Sequence, residues 1–155
     1  MSIYSLINGG KRMPRTKKQF EEMRKLTRKK IQTAALHLFA RKGLSATNVQ
    51  EIADIAGISI GLLYKHYRTK EDMFYELVEI AFNGLKEISI RLCADESPKV
   101  ILERIIDEIY EELANNEDFT NMLKLLTQAL LSSREDEKLA RLLAEDFTML
   151  QALAN

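Results

Sequence analysis

The 155-residue chain has one cysteine, Cys93, no tryptophan, two histidines and two prolines. A lone thiol cannot close an internal disulfide, so packing must hold the fold, and a reducing cytoplasmic setting is expected. Apolar runs are short: residues 34–40 and 125–131 are interrupted by polar side chains and fall well below the roughly 18 residues of a membrane helix. No membrane partner is expected. Residues 1–6 lack the basic opening and apolar centre of a secretory signal. Alternating β-branched runs and Asn-Gly or Asp-Gly turns are missing, which excludes a sheet-based fold. His37 and His66 have no Cys, Asp or Glu at ligand spacing, and no glycine-rich phosphate loop occurs, so no metal, no cofactor and no enzyme activity is expected.

Charge, by contrast, is abundant and unevenly placed. Residues 1–70 hold 15 Lys and Arg against 4 Asp and Glu, and residues 71–155 hold 8 against 19, so a formal net charge of zero conceals halves of +11 and −11. Such asymmetry points to a basic part that meets a polyanion and an acidic part with another task. The acidic cluster Asp107, Glu108, Glu111, Glu112, Glu117 and Asp118 alternates along helix faces and reads as solvated surface.

Helical periodicity runs through most of the chain. Residues 1–16 are expected to be a flexible leader. From about Lys17 to Lys42, Phe20, Met23, Ile31, Ala34, Ala35, Leu38 and Phe39 keep to one stripe, flanked by Arg24, Lys25, Arg28, Lys29 and Lys30, and Gly43 stops the helix. Thr69, with Asp72 three residues on, opens a long helix reaching about Cys93. Ser97 followed by Pro98 opens another, which breaks at Asn115 and Asn116. A sixth helix carries Phe119, Met122, Leu126 and Leu130, and a seventh, capped by Ser133, carries Leu139, Leu143, Phe147 and Leu150. The expected fold is all-α with about seven helices: a DNA-binding domain at 17–69 and a helical ligand-binding and dimerisation domain at 70–155.

The stretch 48–70 carries the functional signal. Thr47 is expected to cap a short helix with Gln50 reaching back, and Val49, Ile52, Ala53 and Ala56 share its buried face. Gly57 provides the positive φ of a sharp turn, Ile58 plugs the crevice, and Ser59 opens a second helix. Two short helices joined in this way form a helix-turn-helix, whose second helix enters the major groove of double-stranded DNA. Ser59, Ile60, Gly61, Leu62 and Lys65 lie on its outward arc, where Lys65 can donate to guanine O6 or N7 and Ile60 or Leu62 can touch a thymine methyl. Gly61 either admits a closely approaching backbone or serves packing. Thr47 and Lys70, at helix starts, are expected to clamp phosphates. Tyr67, at helical spacing from Leu63, is assigned to the core.

The succession Ile31, Ala34-Ala35, Leu38-Phe39, Gly43, Thr47, Ile52-Ala53, Ala56-Gly57-Ile58-Ser59, Gly61, Tyr64, His66-Tyr67, Lys70 and Met73-Phe74 resembles the tetracycline-repressor (TetR) family over about residues 28–76. The resemblance implies a three-helix DNA-binding domain, a fourth helix leading to a regulatory domain, and a homodimer that represses transcription from an operator until a small-molecule effector binds. It also implies that Tyr64 and His66 hold phosphates. The family usually has about nine helices, the last two forming the dimer interface. Seven here leaves two possibilities, a shortened member or pairing through helices six and seven. A shortened interaction protein that pairs with a full-length relative is the alternative. Phe82, Leu85, Ile105, Tyr110, Met122 and Phe147 are candidates to line an effector cavity, with plain core as the competing reading.

Overall fold

Thr16 starts the first helix with a reciprocal cap: its hydroxyl accepts from the Gln19 N–H, and the Gln19 side chain accepts from the Thr16 N–H. The computed structural model describes residues 16–92 and 97–153, with the side chains of 85–92, 98 and 146–153 outside the description; the rest of the expected leader, and Cys93, also lie outside it. The described residues form seven helices: α1 (Lys17–Ala46), α2 (Val49–Ala56), α3 (Ile60–Leu63), α4 (Lys70–Leu92), α5 (Pro98–Asn115), α6 (Glu117–Ser132) and α7 (Glu137–Leu153). Among the described residues there is no strand, so the fold is all-α as expected. Gly43 breaks α1 with φ 84° and ψ 164°, a backbone that β-carbon-bearing residues rarely adopt, and one further turn follows it.

Helix α1 is the spine against which α2, α4 and α6 pack. Ile31, Ala34, Ala35, Leu38 and Phe39 bury the stripe, Ile52, Ala53 and Ala56 come from α2, and Leu63 comes from α3. Helix α4 adds Met73, Phe74, Leu77, Val78 and Phe82. The Phe39 and Phe74 rings meet edge to face at 5.6 Å, a favoured arrangement for two aromatic quadrupoles. Leu125 and Ala129 of α6 and Leu139 and Leu143 of α7 carry the core into the acidic half. The stripe's first turns depart from expectation: Phe20 and Met23 are exposed because α1 runs past the helices that cover it further on.

Two expected caps fall on later residues, one position on for α2 and three positions on for α7. Asn48, not Thr47, caps α2: its side chain accepts from the Gln50 N–H, and the Glu51 carboxylate accepts from the Asn48 N–H. Ser133 ends α6, and Asp136 accepts from the Leu139 N–H at the start of α7. In both places the longer Asx side chain reaches the free N–H groups, while the hydroxyl bonds backward to its own preceding turn, Thr47 to Gly43 and Ser133 to Leu130. Thr69 and Asp72 cap α4 reciprocally as expected.

Candidate nucleic-acid interface

The turn between α2 and α3 is built by Gly57, at φ 66° and ψ 37°, whose N–H donates to the Ala53 and Asp54 carbonyls. The Ile58 N–H donates to the Ala53 carbonyl at 3.0 Å, closing the end of α2. Ser59 accepts from the Leu62 N–H at 3.2 Å and starts α3, a single α-helical turn. The chain then tightens, with Lys65 N–H to Leu62 C=O at 3.2 Å and His66 N–H to Leu63 C=O at 2.9 Å. Leu63 and Tyr67 are buried, so the element is anchored along one side. Ser59, Ile60, Gly61, Tyr64 and Lys65 occupy the exposed side, and Leu62 is half-buried at its edge.

The anchor continues into α1 and α4. Arg28 lies 4.8 Å above the Tyr67 ring and grips Glu76 with two nitrogens, Nε to Oε1 at 3.0 Å and Nη2 to Oε2 at 2.8 Å. Gln32 adds a bond to Glu76 Oε1 at 3.1 Å. A bidentate guanidinium–carboxylate pair fixes orientation as well as distance, so Arg28, on sequence grounds a cation beside the stripe, holds α3 and α4 to α1. Arg24, Lys25, Lys29 and Lys30 remain exposed along α1, and Arg68 follows the recognition element.

At Gly61 a β-carbon would meet nothing within 4 Å. Packing within the chain therefore does not account for a glycine there. His66 is half-buried, its Nδ1 enclosed without a hydrogen-bond partner among the described residues. Burial, reinforced by the positive charges of Arg24 and Arg28, pushes its pKa below the ordinary imidazole value. With Phe20, Met23, Arg24, Thr27, Leu62 and Lys65, His66 lines a cleft of about 390 Å³ beside the exposed face.

Two of the sequence-nominated residues do not join this face. Thr47 is 3% exposed and its hydroxyl donates to the Gly43 carbonyl at 2.7 Å, so it has no outward donor. Lys70 directs its ammonium to the carbonyls of Leu44, Ser45 and Thr47 at 2.9, 3.1 and 3.1 Å. Those carbonyls lie after the break at Gly43, where α1 ends; Leu44 also accepts from the Thr47 N–H at 3.2 Å, and the lysine adds a charged donor to all three. The sequence signal that could have shown this is the glycine stop itself, which strands carbonyls that a cation must meet.

The effector candidates are dispersed. Phe82 belongs to the core, and Tyr110 is 70% exposed on α5. Ile105 is half-buried, and the side chains of Leu85 and Phe147 lie outside the described residues. Met122 does line an apolar cavity of about 110 Å³ between α4 and α6, with Ile80, Ala81, Gly84, Phe119, Leu123 and Leu126. Among the described residues no group of three His, Cys, Asp or Glu could hold a metal ion, and no described helix is long and apolar enough to cross a membrane.

Residues 31–77 match the family model of bacterial regulatory proteins, tetR family. The chain is 32% identical over 115 residues to the HTH-type transcriptional regulator YerO of Bacillus subtilis (strain 168), covering 72% of this chain and 39% of that protein. It is 31% identical over 105 residues to the HTH-type transcriptional regulator AcrR of Shigella flexneri, covering 66% and 47%. The chain thus spans less than half the length of these relatives. Among solved structures, NalD, the secondary repressor of the MexAB-OprM multidrug efflux pump in Pseudomonas aeruginosa, aligns with a TM-score of 0.53 at 26% identity over 84% of this chain and 68% of that one. A TetR-family transcriptional regulator from Mesorhizobium loti shares the fold, with a TM-score of 0.64 at 24% identity over 84% of this chain and 65% of that one.

Proposed function

Because the chain belongs to the tetR family of bacterial regulatory proteins, we propose that it is a cytoplasmic, non-enzymatic transcriptional repressor. In this reading residues 17–69 bind a palindromic operator, and residues 70–155 pair two copies and release the DNA when a small molecule binds. The observation that carries the DNA-binding part is Gly61. A glycine inside a helical turn costs roughly 1 kcal/mol relative to alanine, and here it is neither in a positive-φ conformation nor pressed by a neighbour. A close approach by a partner is the remaining physical reason, and the partner that suits a face bearing Ser59, Tyr64 and Lys65 beside exposed Arg24, Lys25 and Arg68 is a duplex.

Roles divide by chemistry. Ser59, Ile60, Gly61, Leu62 and Lys65 meet base edges, while Tyr64 and His66 donate hydrogen bonds to phosphate oxygens. Thr47 and Lys70 hold the frame instead. Self-association is supported by the exposed apolar residues of α5 and the end of α6, among them Leu102, Ile106, Tyr110 and Leu131. The cavity around Met122 offers an apolar small molecule a starting position between α4, which continues from the recognition element, and α6.

Binding selection from random duplexes tests the whole reading. An enriched inverted repeat supports DNA binding and two-fold symmetry together. Absence of enrichment, with anisotropy that does not change between 50 and 200 mM salt, overturns it. A regulator gripping about eight phosphates should lose on the order of ten-thousandfold in affinity over that range.

A further inference from the structure

A second cleft, of about 620 Å³, opens between α1, α2 and the first turn of α6. Its floor is apolar, from Ala34, Ile55 and Ala56, and Ile55 is 55% exposed there. Lys29 and Lys30 stand at one end, and His37, Glu117 and Asp118 at the other, with His37 Nδ1 3.8 Å from Glu117 Oε1. Positions 29 and 37 are separated by about 12 Å along a helix. On the α6 wall lies Asn121, 94% buried (6% exposed), whose side-chain amide has no hydrogen-bond partner among the described residues. The amide of Asn121 is not fully enclosed, so it keeps an opening to the cleft and can present an acceptor and two donors there.

We propose that this cleft binds a short zwitterionic peptide of two or three residues carrying an apolar side chain. A side-chain amide offers one acceptor and two donors, which matches the N–H and C=O of a peptide bond. The lysines take the terminal carboxylate, Glu117 and Asp118 take the terminal ammonium, and the apolar side chain covers Ala34, Ile55 and Ala56. A purely anionic amphiphile would leave the two carboxylates facing unbalanced charge, and a free amino acid has no amide for Asn121. The volume lies within the roughly 300–1,000 Å³ of small-molecule sites. An occupant touches α2 of the helix-turn-helix and α6 of the acidic half at once, so it favours whichever relative placement of the two it fits better. The site deepens the effector-released reading, yet it can be measured without DNA, so that either can fail while the other stands.

Isothermal titration of the DNA-free chain with Ala-Leu and Ala-Leu-Ala tests it, with free leucine and N-acetyl-Ala-Leu-amide as controls. Saturable binding by either zwitterion is expected, weakened at least tenfold by blocking both termini and lost in Asn121→Leu. The doubly substituted Lys29→Gln, Lys30→Gln chain, altered only at exposed positions, should stay folded and bind at least tenfold more weakly. No binding of either peptide by the folded parent, equal binding of the blocked control, or an Asn121→Leu chain that binds as the parent does would overturn the proposal.

Discussion

The ammonium of Lys70 donates to the carbonyl of Thr47 at 3.1 Å, so two residues expected to meet phosphate separately are bonded to each other instead. With its bonds to Leu44 and Ser45, this lysine at the start of α4 ties off the end of α1 just before α2 begins.

Replacing Lys70 by methionine leaves three carbonyls without that charged donor. Stability should fall by about 2 kcal/mol, or roughly 6 °C in the melting temperature of a chain this size. In DNA titrations below the melt, the slope of log affinity against log salt should not change, since no phosphate contact is removed. An unaltered melt with a slope shallower by about one would return Lys70 to the phosphate side.

Gly61→Ala separates folding from binding in the opposite direction. With open space around the added carbon, the helical turn gains up to about 1 kcal/mol. Operator affinity should nevertheless fall at least tenfold, because the methyl group stands between the turn and the bases. A variant that is more stable and binds DNA as well as the parent would show that Gly61 plays no part in recognition.

If His66 holds a phosphate as proposed, DNA binding should be sensitive to acid. In the free protein its pKa lies below the ordinary imidazole value, chiefly through burial and then through Arg24 and Arg28, and an approaching phosphate raises it. Binding therefore takes up a proton, and affinity should increase as pH falls through the interval between the free and bound pKa values. Folding has the opposite sign: the unfolded chain binds the proton more readily, so His66 lowers stability as pH falls below about 6.5. Anisotropy titrations from pH 8 to 5.5 on the parent and on His66→Gln should show the affinity trend only in the parent.

Tyr75 joins α4 to the start of α7. Its hydroxyl donates to Asp136 Oδ2 at 2.7 Å, while Asp136 Oδ1 accepts from the Leu139 N–H. The hydrogen bond with Asp136, more than burial, pushes the phenol up to about 12, and the same bond holds the carboxylate below its usual range. Tyr75→Phe should cost about 1 kcal/mol near neutral pH. The difference between the two melts should shrink as pH falls below about 4, where Asp136 protonates in both and its stabilising charge is lost.

Helix content was legible because the signals are local: a stripe at helical spacing in 31–39, Gly43 and Gly57 as stops, and Ser-Pro at 97–98 as a start. The exposed and buried sides of the recognition element followed from the same spacing, down to the burial of Tyr67. Caps were less legible, since Thr47 and Asn48 are both competent and only the three-dimensional path decides which reaches the free N–H groups. The Arg28–Glu76 pair was not legible at all. Its members lie 48 positions apart, and nothing in a charge count says which arginine turns inward. Effector residues fared worst, because a core stripe and a cavity wall share one pattern: Phe82 filled the interior and Met122 a cavity.

Asn116 terminates α5 and, through its side chain, opens α6, with no other residue between them. A corner so abrupt has no slack in which to hide a change of length. One inserted residue on either side would rotate everything beyond it by about 100°, swinging Leu125 and Ala129 away from α1. Length variation among natural versions of this chain should therefore gather at the roomier bend after Ser132 and spare this joint.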